Sequence, residues 1–302
     1  MSQHESTTHT GAVPDAAPPK LPASLRLGAV HLTVSDLDRS VAFYRDAIGL
    51  RLHRREGSLA AMGAGEEDLL VLHEEEGARR AGRHAGLYHY ALLFPSREEL
   101  ARAALRLAAT NTPIQGASDH GTHEAIYLPD PDGNGIELAA DRPREGWPQP
   151  LEYAGGPHPL DLDGLLAAVA GEEPQAQAEP GLKIGHVHLH VGDLQRGVGF
   201  YRNVLGFDLM TLIPGGAAFV AAGGYHHLGF NIWRGEGVPP VPEGRVGLRH
   251  WTVVLDGPED VAAVSGRIRE AGIPTEERGD GFLVRHSWGI AVLFFSSHSP
   301  KA

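Results

Sequence analysis

The sequence predicts an α+β protein of four βαβββ modules in two domains. Three observations predict it: a long internal repeat, a weaker repeat between its copies, and a glycine-turn hairpin closing each weaker copy. The segment Gly28-Ala-Val-His-Leu-Thr-Val-Ser-Asp-Leu-Asp-Arg-Ser-Val-Ala-Phe-Tyr-Arg45 returns as Gly185-His-Val-His-Leu-His-Val-Gly-Asp-Leu-Gln-Arg-Gly-Val-Gly-Phe-Tyr-Arg202. More than half the positions are identical, and both copies run on to a glycine, Gly49 and Gly206. Duplication is the economical explanation.

Each strong copy opens with apolar or β-branched residues at strand spacing, Val30, Leu32 and Val34 or Val187, Leu189 and Val191. Ser35-Asp36 and Gly192-Asp193 then supply turn and N-cap chemistry. Val41, Phe43, Tyr44 and Ile48 follow at helical spacing, and Gly49 offers a C-cap. Short strand-like segments come after: Leu69–Leu72 in the first copy, Ala218–Ala221 and Leu228–Trp233 in the second. In the weaker pair, Gly86–Phe94 matches Gly247–Leu255, with His89 aligned to His250. A helix is predicted after each, over Glu98–Ala109 and Pro258–Ala271, then the hairpins Asp130-Pro-Asp-Gly-Asn-Gly135 and His286-Ser-Trp-Gly289.

The expected organisation is a disordered tail over 1–24, an N-terminal domain over 25–141 and a C-terminal domain over 182–298. Modules one and two cover 26–78 and 84–141; modules three and four cover 182–237 and 245–298. The Pro-, Gly- and acid-rich stretch 142–181 reads as a linker with a short helix at Leu160–Ala170.

Composition narrows the function. A formal net charge of -12 argues against nucleic acid, whose phosphates need a surplus of Lys and Arg. No stretch approaches the roughly 20 apolar residues of a membrane helix. The start lacks the basic and apolar regions of a secretory signal, which makes the cytoplasm the expected compartment. With no cysteine, thiolate zinc sites, iron–sulfur clusters and a Cys nucleophile are excluded. Any metal must be held by His, Asp or Glu. The acidic run Glu74–Glu76 reads as a solvated loop.

The signatures VSDLDRSVAFYRDAIGL and VGDLQRGVGFYRNVLGF, with the DPDGNGIEL hairpin, resemble the vicinal oxygen chelate superfamily from Leu27 to Ser297. The two-domain layout resembles its extradiol, catechol 2,3-dioxygenase-like branch. The resemblance implies two half-barrel clefts, each closed by a pair of modules, with metal ligands on first and last strands. Carried onto this chain, the first-strand position is His186 in module three and Ala29 in module one, and corresponds to His89 and His250 in the others. The last-strand carboxylate is Glu137 in module two, replaced by Leu293 in module four.

Three pairings of modules are conceivable. Modules three and four, the familiar arrangement, offer His186 and His250 but no carboxylate; modules one and two offer His89 and Glu137 but only one imidazole. Modules two and three complete a two-His-one-carboxylate face with His89, His186 and Glu137. Such a face leaves positions open on a divalent iron, enough for both oxygens of a catechol and for dioxygen. Manganese accepts the same donors. A ligand register shifted by two would substitute His188, and His250 is the other substitute.

The resemblance also implies acting residues. Tyr127 stands ten residues before Glu137, as in the family hairpin, and implies an oxygen-stabilising hydroxyl. The pair His226-His227 matches the family's His-His pair, with His227 the favoured acid/base. Of His120 and His123, His120 is the favoured further site histidine. Trp233, Phe230, Phe94 and Trp251 fit either an aromatic pocket or the core. The expected activity is ring cleavage of a catechol-type aromatic by dioxygen, in a chain that forms a homo-oligomer. A glyoxalase-type isomerase would require a fourth ligand, and Phe230-Asn231-Ile232 offers no carboxylate. A binding protein of the same fold would not require Tyr127, Glu137 and two imidazoles in register.

Overall fold

The computed structural model describes residues 20–147, 157–224 and 226–297. Most of the expected tail, 1–24, lies outside them. Near its end the tail is packed: Leu21 is buried, and its amide donates to the Gly206 carbonyl over 2.8 Å.

Two nine-stranded sheets carry the four modules. One runs in the order Thr275–Arg278, Gly281–Arg285, Ala291–Ser296, Gly247–Leu255, Val30–Val34, Leu70–Glu74, Leu59–Gly63, Arg51–Glu56, with Arg26–Leu27 paired to Gly247–Leu255. The other runs His158–Pro159, Gly116–Asp119, His123–Pro129, Gly135–Asp141, Gly86–Phe94, Lys183–His190, Leu228–Asn231, Ala217–Ala221, Asp208–Ile213. The first sheet is therefore modules one and four, the second modules two and three. Each half of the sequence contributes one module to each sheet. In every module the opening strand lies parallel to the closing one, and modules join antiparallel through their opening strands. The pairing that completes the ligand set is thus a continuous sheet.

Local chemistry accounts for the elements. Asp36 and Asp193 cap the helices of modules one and three, accepting the amides of Arg39 and Arg196 at 2.9 Å each. Each helix widens into a π-helical turn, Tyr44–Ile48 and Gly199–Leu205, and ends on a left-handed glycine, Gly49 at φ 86° and Gly206 at φ 98°. The wide turn was not legible in an apolar spacing compatible with an ordinary helix. The longer helices cover Arg97–Ala109, capped by Ser96, and Pro258–Glu270. The linker helix is shorter than expected, Leu162–Ala167. Leu100, Ala103 and Leu107, like Val261, Val264 and Ile268, bury one helical face each. Each Leu, Ile or Val so buried contributes roughly 1.5–3 kcal/mol.

Candidate metal centre

His89 lies in Gly86–Phe94, His186 in Lys183–His190 and Glu137 in Gly135–Asp141, three neighbouring strands of one sheet. Hydrogen-bond register brings them together: Ala91 pairs with Glu137 and His89 with His188, while a bulge at Gly185–His186 opposes Ala91. The His89 and His186 Nε2 atoms are 3.1 Å apart, and stand 3.0 and 3.3 Å from the Glu137 Oε2. All three side chains are buried. Among the described residues they are the one group of three or more His, Asp or Glu side chains whose ligand atoms converge in this way.

Cis ligands of an octahedral ion with bonds near 2.1 Å stand about 3 Å apart, so the donor set fits a divalent metal. The second Glu137 oxygen supports the fit. Oε1 is buried, and His123 Nε2 stands 3.2 Å away but off the line of a hydrogen bond. Burial by itself would raise the Glu137 carboxyl, but His186, His123 and His89 outweigh it and hold it well below the ordinary range. Burial lowers His89 despite the opposing pull of Glu137. An anionic carboxylate and a neutral imidazole are the ligating forms.

A second layer surrounds this trio. His123 Nδ1 shares a 2.9 Å hydrogen bond with Thr122 Oγ1, and its ring stacks on His120 at 4.4 Å. His120 Nε2 shares a 2.7 Å hydrogen bond with the Tyr127 hydroxyl, whose ring lies 5.8 Å from that of His89. His188 is committed elsewhere: its Nε2 accepts from Asn231 Nδ2 over 3.0 Å, while Asn231 Oδ1 accepts from His190 Nδ1 over 2.8 Å. His250 belongs to the other sheet, stacked on His31 at 3.9 Å. Neither suggested substitute joins the trio.

The histidine pair is placed differently from expectation. His226, not His227, faces the trio, its ring 4.3 Å from His186 and 6.2 Å from His123. His227 Nδ1 instead accepts the Ala222 amide over 3.1 Å, and its own amide donates to Val220. Adjacent residues entering a strand point to opposite faces, so one of the two had to turn away. Burial, then His186 and His123, holds the His226 imidazole well below its ordinary range.

The trio opens on a cavity of about 360 Å³ whose lining includes Tyr88, Tyr127, Phe219 and Trp233. Trp233 takes the pocket role, whereas Phe230, Phe94 and Trp251 are core. Tyr88 and Phe219 were missed. Tyr88 is the extra residue of a bulge, since Leu87 pairs with Leu189 and His89 with His188. The bulge directs both Tyr88 and His89 to the cavity against simple alternation, and the sequence carries no signal of it. Behind the trio a chamber of about 580 Å³ between the sheets is lined by His227, Lys183, Asp141 and Trp147.

The other module grips the Glu137 hairpin. Asp130 is buried and accepts the Asp132 and Asn134 amides, the Asn134 side-chain amide at 2.8 Å and the Tyr44 hydroxyl at 2.9 Å. Asp132 accepts from the Ser35 amide, the Ser35 hydroxyl and Arg39 at 2.9, 2.6 and 2.6 Å. Gly135 has no room for a side chain, because a Cβ there would lie 2.1 Å from the Tyr88 carbonyl oxygen.

Known proteins share both the sequence and the fold. The family model Glyoxalase/Bleomycin resistance protein/Dioxygenase superfamily matches residues 26–138 and 183–284. Catechol-2,3-dioxygenase of Bacillus subtilis is 42% identical over 276 residues, covering 89% of this chain and 96% of that protein. A manganese-dependent 2,3-dihydroxybiphenyl 1,2-dioxygenase of Geobacillus genomosp. 3 is 26% identical over 89% of this chain and 79% of its own. Among solved structures, glyoxalase I from Zea mays superposes with a TM-score of 0.57 at 19% identity, over 90% of this chain and 92% of that one, a likeness of fold. The matched segments, the four modules and the 42% identity make this chain a member of the vicinal oxygen chelate superfamily, on its catechol 2,3-dioxygenase-like, extradiol branch.

Proposed function

We propose that this protein cleaves a catechol-type aromatic ring beside its diol with dioxygen, using divalent iron held by His89, His186 and Glu137. One observation carries the reading: two imidazoles and one carboxylate, each about 3 Å from the others, sit buried on one side of an aromatic-walled cavity. Iron held there would supply Lewis-acid and one-electron redox chemistry to the diol and dioxygen.

The chain's residues do the rest. Tyr88, Phe219 and Trp233 wall the cavity and orient an aromatic ring. His226, neutral in the free protein, takes the role expected of His227: it accepts a proton from the diol and returns it to the opened product. The Tyr127 hydroxyl, aligned by His120 at 2.7 Å, donates to oxygen on the substrate. His123, whose Nε2 stands 3.2 Å from Glu137 Oε1, packs behind the carboxylate and acts through it. Burial keeps bulk water from this centre.

Reconstitution under argon with Fe(II), then addition of catechol and air, tests the reading. A yellow ring-opened semialdehyde with one dioxygen consumed per catechol is expected. Colourless mixtures with catechol, alkylcatechols and 2,3-dihydroxybiphenyl at full iron content would refute it. Parallel loading with Mn(II) decides the metal.

A further inference from the structure

We propose that the second cleft, built by modules one and four, binds a small carboxylate or oxyanion through Arg249, His250, His31 and His73. The internal repeat makes the two clefts comparable position by position. His250 pairs with His31 as His89 pairs with His188, and Arg249 is the extra residue of the same bulge that carries Tyr88. His73 takes the place of Asn231, and its Nε2 lies 3.1 Å from His31 Nδ1, as Asn231 bonds His188. The metal positions are lost: Ala29 stands for His186, and Leu293, paired to Thr252 as Glu137 is to Ala91, stands for the carboxylate. The strand register has been kept while the side chains it carries have changed.

That lining is cationic and imidazole-rich. His31 stacks on His250 at 3.9 Å and on His73 at 5.4 Å, and all three are partly open to solvent. Burial is the larger cause that lowers the proton affinity of all three; exposed Arg249 adds to it at each, and Arg285 and Arg278 add to it at His250. Glu276 pairs with Arg278 at 2.8 Å and lies 3.6 Å from Arg285, whereas Arg249 has no ion pair among the described residues. His250 Nε2 is buried without a hydrogen-bond partner among the described residues. A guanidinium without a counter-charge beside an unsatisfied imidazole nitrogen suits a negatively charged oxygen. A divalent cation is disfavoured by the arginines, and the three imidazoles do not converge as His89, His186 and Glu137 do.

The site is separate from the metal centre, so it is tested on the metal-loaded chain by calorimetric titration with inorganic phosphate and, separately, benzoate. At least one probe is expected to bind with millimolar or tighter affinity, and Arg249→Gln and His250→Asn to weaken it about tenfold or more. Arg249 is exposed, so its replacement leaves folding and ring cleavage unchanged. The two probes distinguish an inorganic oxyanion from an aromatic carboxylate as the natural ligand type. Absence of binding by both, or affinity unaltered in Arg249→Gln, would overturn the proposal. So would tight Zn(II) binding to this cleft that His250→Asn abolishes.

Discussion

Tyr44 and Tyr201 hold the same place in the two strong repeats, yet the structure predicts opposite responses to losing the hydroxyl. Tyr44 donates to Asp130 over 2.9 Å and accepts from the Tyr90 hydroxyl over 3.0 Å. Both tyrosines and Asp130 are buried, so Tyr44→Phe removes a charge-assisted bond and strands the Tyr90 hydroxyl. The cost should be about 2–3 kcal/mol. Tyr201 is equally buried, but its hydroxyl has no hydrogen-bond partner among the described residues, because module four carries His286 and not an aspartate in the corresponding turn. Tyr201→Phe should therefore gain about 1 kcal/mol by removing an unsatisfied buried group. The two midpoints of thermal unfolding should separate by roughly 5–6 °C, with urea titrations giving unchanged slopes. Because the Asp130 turn leads to Glu137, metal affinity should fall about tenfold in Tyr44→Phe and stay constant in Tyr201→Phe. Equal stability changes in the two variants would refute the reasoning.

Other substitutions test the centre itself. Glu137→Gln and His89→Ala should each leave the dialysed protein without iron by emission analysis, while His250→Ala retains a full complement. In His226→Gln, turnover at equal iron content should fall about 10²–10⁴-fold, whereas His227→Gln should lose less than about tenfold; reversed losses would restore His227 as the acid/base. Burial, against a bond to the Arg196 carbonyl, lowers His286 to about 4, beneath its unfolded value near 6.5. The unfolded chain takes up that proton first as pH falls, so His286 contributes full stability above about 6.5 and loses it towards 4. Denaturation midpoints measured over that window should drop, and less so in His286→Phe.

Much of the fold was legible because duplication exposes itself in identities, and because strand and helix spacings leave periodic traces. Asp36, Asp193, Gly49 and Gly206 act as caps where local chemistry placed them. The grouping of His89, His186 and Glu137 rested on the family resemblance, which implies where ligands stand in each module; on those positions the other module pairings left the set short of a carboxylate or an imidazole. The choice between His226 and His227 was not legible, because adjacent residues differ only in the face they take. Tyr88 escaped for the same kind of reason, its direction depending on one bulged residue.

The residues by themselves determined the module, its repetition, the absence of thiolate chemistry and the donor types available to a metal. Tertiary structure decided that modules pair across the halves of the chain, one with four and two with three. It also decided that Asp130 and Asp132 are gripped by residues almost ninety or more positions away. Local spacing cannot encode either result. Sheet partners are selected by burial and hydrogen-bond register between distant segments, and a single bulge reverses the face on which a side chain emerges.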